Sequence, residues 1–438
     1  MVSQVRRKRL LQESMNSASN PAMPFTNSKL PGSGPRPGSR EIVAMLAGLM
    51  ALNAFAIDAM IPALPAIGVD LGVAADNDRQ LVVVAYMFGF GSTQLLWGPL
   101  ADRFGRKPVL AVGVLLYFSF AFLCAFAWSF PLLVAGRIAM GASAAVTRVL
   151  VVTMVRDLFE GEEMARTMSL VFIVFMLVPV LAPSVGQGIL LVGPWRAIFG
   201  VLGVYGMLMA LWSWRRLPET LHPEYRRSLR FGEIGSAMWA TLRERQSLGY
   251  TLALTVTFGA LTAYIASVQQ IIFDAFKAPG AIGIAFAAIA APMALTSWLN
   301  SRVVGIYGMR RVGHGGTIAF AAITLVHAVI AAAGFETLTL FIILQGLAMA
   351  AFAFTSSNLS TLAMEHMGPI AGTASSVQGA IGTIGGATIG LGIGRAFDGT
   401  ALPFLIGMAI CAALALVAVA VTEPRRLLER LPRVTPNR

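Results

Sequence analysis

Long stretches almost free of charge recur from residue 41 to residue 422 of this sequence. Each is about 20 residues or more, the length a helix needs to cross the ~30 Å hydrocarbon core of a bilayer. Short charged or glycine-rich turns part them. Water is a poor solvent for such surfaces: 56% of the 438 residues are hydrophobic and only 12% are charged, against about 25% charged in a soluble globular protein. The pattern predicts an all-α polytopic membrane protein with twelve transmembrane helices. The expected spans are 41–66, 79–100, 108–128, 131–156, 165–191 and 195–214, then 247–273, 280–304, 313–333, 337–364, 370–396 and 401–422.

The turn GPLADRFGRKP at 98–108 sets the orientation. It packs Asp102, Arg103, Arg106 and Lys107 between two apolar runs, and basic turns face the cytoplasm. Alternate turns repeat the signal with Arg156 and Arg166, with Arg215 to Arg245, and with Arg302, Arg310 and Arg311. Opposite turns hold Arg79, Lys277 and Arg395, each near an Asp, and Arg196. Arg395 and Asp398 are expected to form an interfacial pair. The turn at Glu365 and His366 departs from the pattern, having no Lys or Arg. Both termini are therefore expected inside, in a multi-pass membrane protein.

The chain divides into a basic tail, 1–40, of disordered composition, a six-helix bundle, 41–214, a cytoplasmic linker, 215–246, a second bundle, 247–424, and a basic tail, 425–438. The stretch NSRVVGIYGMRR at 300–311 is a degraded copy of the turn at 98–108, in the equivalent place of its half. Two pseudo-symmetric bundles with a site between them describe a secondary transporter.

Several function classes are excluded. The net charge of +12 falls at the ends and in alternate turns, which is topology control rather than nucleic-acid binding. Cys124 and Cys411 lie inside apolar runs and read as small apolar residues. His222, His314, His327 and His366 are scattered, and no P-loop, HExxH or nucleophile elbow occurs. An enzyme, a metal site and a cofactor are not expected, so an ion gradient must supply the energy.

The turn Gly98-x-x-x-Asp102-Arg103-x-Gly105-Arg106-Lys107 resembles the signature loop of the major facilitator superfamily. Three further stretches resemble its drug:proton antiporter branch, and within it the Bcr/CflA-type exporters. These are Asp58-Ala-Met-Ile-Pro62-Ala-Leu-Pro65 in span 1, Arg137-Ile-Ala-Met-Gly141 in span 4, and Pro179-Val-Leu-Ala-Pro183-Ser-Val-Gly186-Gln187 in span 5. Ala182 stands where that antiporter motif usually has Gly. The resemblance covers 41–425. It implies two bundles rocking about a central site, and efflux of a drug-like small molecule in exchange for protons, by a monomer among membrane lipids. The alternative is a proton-coupled transporter of a physiological solute such as an amino-acid derivative, polyamine or siderophore.

Asp58 is the sharpest position, since an ionisable side chain inside a span is costly and implies function. It is the expected site of reversible protonation, with an interfacial or helix-bonding Asp as the bland reading. By helix rise, Asp58 lies about 24 Å from the inner start of span 1 and Arg137 about 21 Å from the inner face. Arg137 is therefore its expected partner; otherwise backbone carbonyls satisfy it. Arg148, about three turns further on, either lines the inner cavity and meets anionic groups, or snorkels or pairs with Asp157. Asp102, Arg103 and Arg106 resemble the family's gating cluster. Pro179, Pro183 and Gly186 are expected to bend span 5. Asn53, Tyr86, Phe90, Gln94, Gln187, Gln269, Asn358 and Gln378 are candidates for the cavity wall, each alternatively ordinary helix–helix glue. No acid in the second half matches Asp58, which confines the expected proton chemistry to the first.

Overall fold

The computed structural model describes residues 38–159, 161–221, 224, 231–367 and 370–423. The expected tails therefore lie almost wholly outside the described residues, as does most of 222–230 in the linker.

Among the described residues twelve long helices follow in order: α1 Ser39–Asp58, α2 Leu81–Phe104, α3 Arg106–Ala125, α4 Phe130–Leu158, α5 Gly161–Val192, α6 Arg196–Arg216, α7 Arg245–Gln270, α8 Ile282–Tyr307, α9 Met309–Ala332, α10 Leu338–Met364, α11 Ala371–Arg395 and α12 Leu402–Thr422. Among the described residues, eleven helices are long and apolar enough to cross a membrane. The remaining one, α5, is a continuous 32-residue helix. Each expected span overlies one of the twelve. Within the linker, Phe231–Arg243 forms a helix that packs against α7 and α11.

Proline and glycine chemistry sets the breaks. Pro62 has no N–H to offer the carbonyl of Asp58, four residues back, so α1 stops at Asp58. A 3-10 turn, Ile61–Ala63, and a short helix, Leu64–Asp70, carry the chain to the membrane edge. The turns from α2 to α3 and from α8 to α9 each close on a glycine of positive φ, 104° at Gly105 and 85° at Gly308. That shared geometry supports the reading of 300–311 as a copy of 98–108.

The helices form two six-helix bundles. In the first, α2 packs on α4, α3 on α4 and α6, and α1 on α5; in the second, α7 packs on α11 and α12, and α10 on α8 and α9. Glycines bring α2 and α4 into backbone contact: a Cβ on Gly89 would fall 1.9 Å from the Ile138 carbonyl oxygen, and one on Gly141 2.0 Å from that of Tyr86. Small residues thus supply the close packing that membrane helices rely on.

The bundles meet along α2–α11, along α5–α8, and where Ile61 enters the apolar core around Tyr264 and Val268. On the face opposite the 98–108 turn, polar contacts bind them together. Asn77 Nδ2 donates to the carbonyls of Arg395 (3.0 Å) and Phe397 (2.9 Å), and Gln270 Nε2 donates to Asn77 Oδ1 (2.8 Å). Gln80 bonds to Gln270 and to the Gly394 carbonyl, and Arg395 pairs with Asp78 at 3.0 Å. The expected Arg395–Asp398 pair is thus corrected. Asp398 instead accepts from the Thr400 hydroxyl and N–H, which hold its carboxyl below the usual range.

Candidate transport site

Asp58 ends α1 in the packed seam between the bundles. Its side chain is buried, and Oδ1 has no hydrogen-bond partner. Tyr264 of α7, in the other bundle, lies within its electrostatic reach, and the Tyr264 hydroxyl is also unpartnered. Further along α7, Ser267 Oγ and both amide atoms of Gln269 share that condition. Buried polar atoms are nearly always satisfied, so this group of them on α1 and α7 makes the seam the candidate site.

The expected Asp58–Arg137 pair is not formed. Arg137 is fully buried; its Nε donates to the Val82 carbonyl at 2.7 Å and its Nη1 to the Ala56 carbonyl at 3.0 Å. The rings of Tyr86 and Phe199 lie 4.6 Å and 5.8 Å from its Cζ. The break after Asp58 explains this arrangement. The last four carbonyls of a helix lack internal partners and attract cations, and Ala56 is one of them. Arg137 therefore caps the broken end of α1 and ties it to α2, α4 and α6.

Gly186 sits against the same break. A Cβ there would fall 2.1 Å from the Ala59 carbonyl oxygen. Helix α5 runs unbroken through positions 179 and 183, and Pro183 is buried, while the Pro179 side chain lies outside the described set. Gln187 and Ser184 face Gly283 of α8 across the seam.

The remaining cavity candidates are mostly glue. Asn53 accepts from Tyr86 Oη (3.0 Å) and donates to Thr147 (2.7 Å), locking α1, α2 and α4, with Phe90 stacked on Tyr86. Gln94 reaches Thr383 of α11 at 3.3 Å, and Gly379 leaves room for its oxygen. Asn358 donates to Asn300 of α8 and Gln378 to Ser247 of α7. Arg148 differs: its side chain is exposed although it stands deep within the protein.

On the turn side each bundle carries its own ion cluster. Arg106 pairs with Asp102 and with Asp157 (3.4 Å), and Thr220 donates to Asp157 at 3.0 Å. Glu219 accepts from the N–H groups of Arg106 (2.9 Å) and Lys107 (3.3 Å), an anion on the N-terminus of α3. Lys107 lies over Trp214, exposed Arg103 lies over Phe104, and half-buried Gly98 faces Val149. In the second bundle Arg310 holds Glu423 (2.8 Å) and Glu365 (2.7 Å), with Tyr250 bonded to buried His314 nearby. Burial pushes the Glu423 carboxyl up, but the hydrogen bonds and charge of Arg310 outweigh it and hold it below its ordinary range.

Sequence reading missed Glu219 and Glu423, and it missed the pairing of Asp157 with Arg106 and of Glu365 with Arg310. The available signal was an acid at or just past the ends of α4, α6, α10 and α12, at matching places in the two halves. It also missed Glu336, which pairs with buried His327 at 3.0 Å on the far side of the second bundle.

Comparison with known proteins agrees with this architecture. The model of a family described as Major Facilitator Superfamily matches residues 46–390. The chain is 29% identical over 387 residues to a protein named Bicyclomycin resistance protein homolog from Haemophilus influenzae, covering 87% of this chain and 96% of that one. It is 28% identical over 391 residues to Multidrug resistance protein MdtL of Klebsiella pneumoniae, covering 86% and 95%. Among solved structures, that of a D-xylose-proton symporter superposes with a TM-score of 0.68 at 15% identity, covering 88% of this chain and 96% of that one, a likeness of fold.

Proposed function

Because this chain belongs to the major facilitator superfamily, we propose that it is a proton-coupled exporter of drug-like small molecules, working by alternating access in a bacterial inner membrane. Relatives named for bicyclomycin and multidrug resistance support the efflux reading. The basic turns support placing the 98–108 turn and both termini in the cytoplasm. The seam contacts then lie on the outer side, and the conformation is one closed outward.

Asp58 carries the coupling. It is a buried acid with an unpartnered oxygen, at a broken helix end between two bundles that must part. Burying a carboxylate charge there without a donor is costly, whereas a neutral carboxyl fits. Parting of the outer seam would wet Asp58 and let it exchange its proton. Closure would favour the neutral form again. In this scheme Arg137 holds the geometry of α1 and does not itself carry the proton. The two turn-side ion clusters hold each bundle rigid as it rocks.

Drug-susceptibility profiling tests this reading. A strain overexpressing the chain should tolerate raised concentrations of some compounds in a panel including bicyclomycin, relative to a deletion strain. A protonophore or Asp58→Asn should abolish the difference. A panel-wide absence of protection, or protection indifferent to the protonophore, would overturn it.

A further inference from the structure

Arg148 is the one proposed cavity residue that the structure leaves both accessible and without a counter-charge. Contacts along α4 fix where it points. Gly136 and Val146 touch α3, Ile138, Gly141 and Ala142 touch α2, and Arg137 and Thr147 touch α1. At 3.6 residues per turn, Arg148 lies within about 20° of both Arg137 and Gly141, and roughly opposite the α3 face. It therefore projects between α1 and α2, the side of α4 that looks toward the other bundle, since α2 meets α11 and the end of α1 meets α7.

Ordinary explanations for this cation fail. Asp157 is taken by Arg106 and Thr220. Snorkelling is out of reach: Arg148 lies ten residues before the end of α4 at Leu158, about 15 Å of helix. Among the described residues Arg148 makes no hydrogen bond and no ion pair. An uncompensated charge at this depth is costly unless a partner arrives. Among the described residues the second bundle offers no acid at that level. Ser356 occupies the same register, each residue being eighteen past the first of its helix (Phe130 and Leu338), and Ser356, Ser357 and Ser360 are accessible. One guanidinium, with accessible hydroxyls at the matching level of the other bundle, is a recognition set for a carboxylate, sulfonate or phosphonate.

We propose that Arg148 is the specificity-determining group of the transport path between the bundles, and that the cargo is an amphipathic organic anion whose acidic group docks on it. This rests on the transport reading above and names its substrate class. A cationic drug would meet a like charge in a low-dielectric space and be rejected.

Three probes of one size and different charge test it: naphthalene-2-sulfonate, 2-naphthamide and (2-naphthylmethyl)trimethylammonium. Each is titrated against full-length protein in lipid nanodiscs, with tryptophan fluorescence as readout. The wild type should bind the sulfonate at least 10-fold more tightly than the amide, and the ammonium weakest. Arg148→Gln should lose that preference, Arg148→Glu should reverse it, and Arg148→Lys should keep most of it. Equal binding of the three probes by wild type overturns the proposal whatever the variants do. So does an anion preference that survives Arg148→Gln. Binding at equilibrium needs no proton movement: a charge preference that follows Arg148 stands even if protonophore and Asp58 leave export untouched, and the reverse outcome removes the anion site while sparing the coupling.

Discussion

Gly105→Ala and Gly308→Ala are the same change at two turns of like geometry, and the structure makes them unequal. Both glycines hold backbone that L-residues avoid, φ 104° with ψ 150° and φ 85° with ψ 152°. Each alanine should therefore cost about 1–3 kcal/mol in strain. At Gly308 nothing lies within 4 Å of the added Cβ. At Gly105 the Cβ falls 2.5 Å from Glu219 Oε2, the carboxylate on the N-terminus of α3. Displacing it strips hydrogen bonds to a charged acceptor. Such bonds contribute about 1.5–3 kcal/mol each in general, and partial exposure of Glu219 lowers the expected excess to about 1–2 kcal/mol. Denaturant unfolding of the full chain in mixed micelles, followed by tryptophan fluorescence, reads both losses. Gly105→Ala should lose more than Gly308→Ala, and the gap should close in a Glu219→Ala background. Equal losses, or a gap that persists without Glu219, would refute the reasoning.

Three further outcomes follow from other contacts. Glu423 is held below its ordinary carboxyl range, taken as 4.5, so its pairing with Arg310 adds stability above that pH and loses it as pH falls through the lowered value. The unfolding midpoint of wild type should thus exceed that of Glu423→Gln at pH 7, and the two should converge as pH drops below about 4.5. A Cβ on Gly394 would fall 1.6 Å from Gln80 Oε1 in the outer seal, so Gly394→Val should raise labelling of Tyr264→Cys by an impermeant maleimide from outside severalfold; unchanged labelling would contradict the seal. Since no ion pair joins Asp58 to Arg137, Asp58→Asn and Arg137→Lys should be additive in stability to within about 0.5 kcal/mol. Arg137→Lys alone should lose about 1–3 kcal/mol, because an ammonium cannot bridge the Val82 and Ala56 carbonyls.

The bilayer-spanning architecture was legible in the sequence because it rests on local properties. Apolar length, the prolines at 62 and 65, and the glycines at 105 and 308 act within a few residues of themselves. The pairing of side chains across the bundle was not legible. Depth matching placed Asp58 and Arg137 at one level, but depth fixes height and says nothing of azimuth. Once Pro62 broke α1, its freed carbonyls competed for the guanidinium and held it. Asn53, Gln94, Asn358 and Gln378 looked like cavity residues because polarity in an apolar run is all a sequence shows. Whether such a group faces a neighbour or an opening depends on packing between helices far apart in the chain. The partners of the acids at 157, 219, 365 and 423 were hidden for the same reason: Glu219 meets Arg106 across 113 residues of sequence.

Proton release on substrate binding is the most direct test. Full-length protein in weakly buffered detergent solution, with a pH-indicating dye, is mixed with whichever compound the susceptibility panel identifies. Wild type should release close to one proton per molecule bound near neutral pH, and Asp58→Asn should bind the compound and release none. Proton release of undiminished size from Asp58→Asn would contradict the assignment of coupling to the broken end of α1.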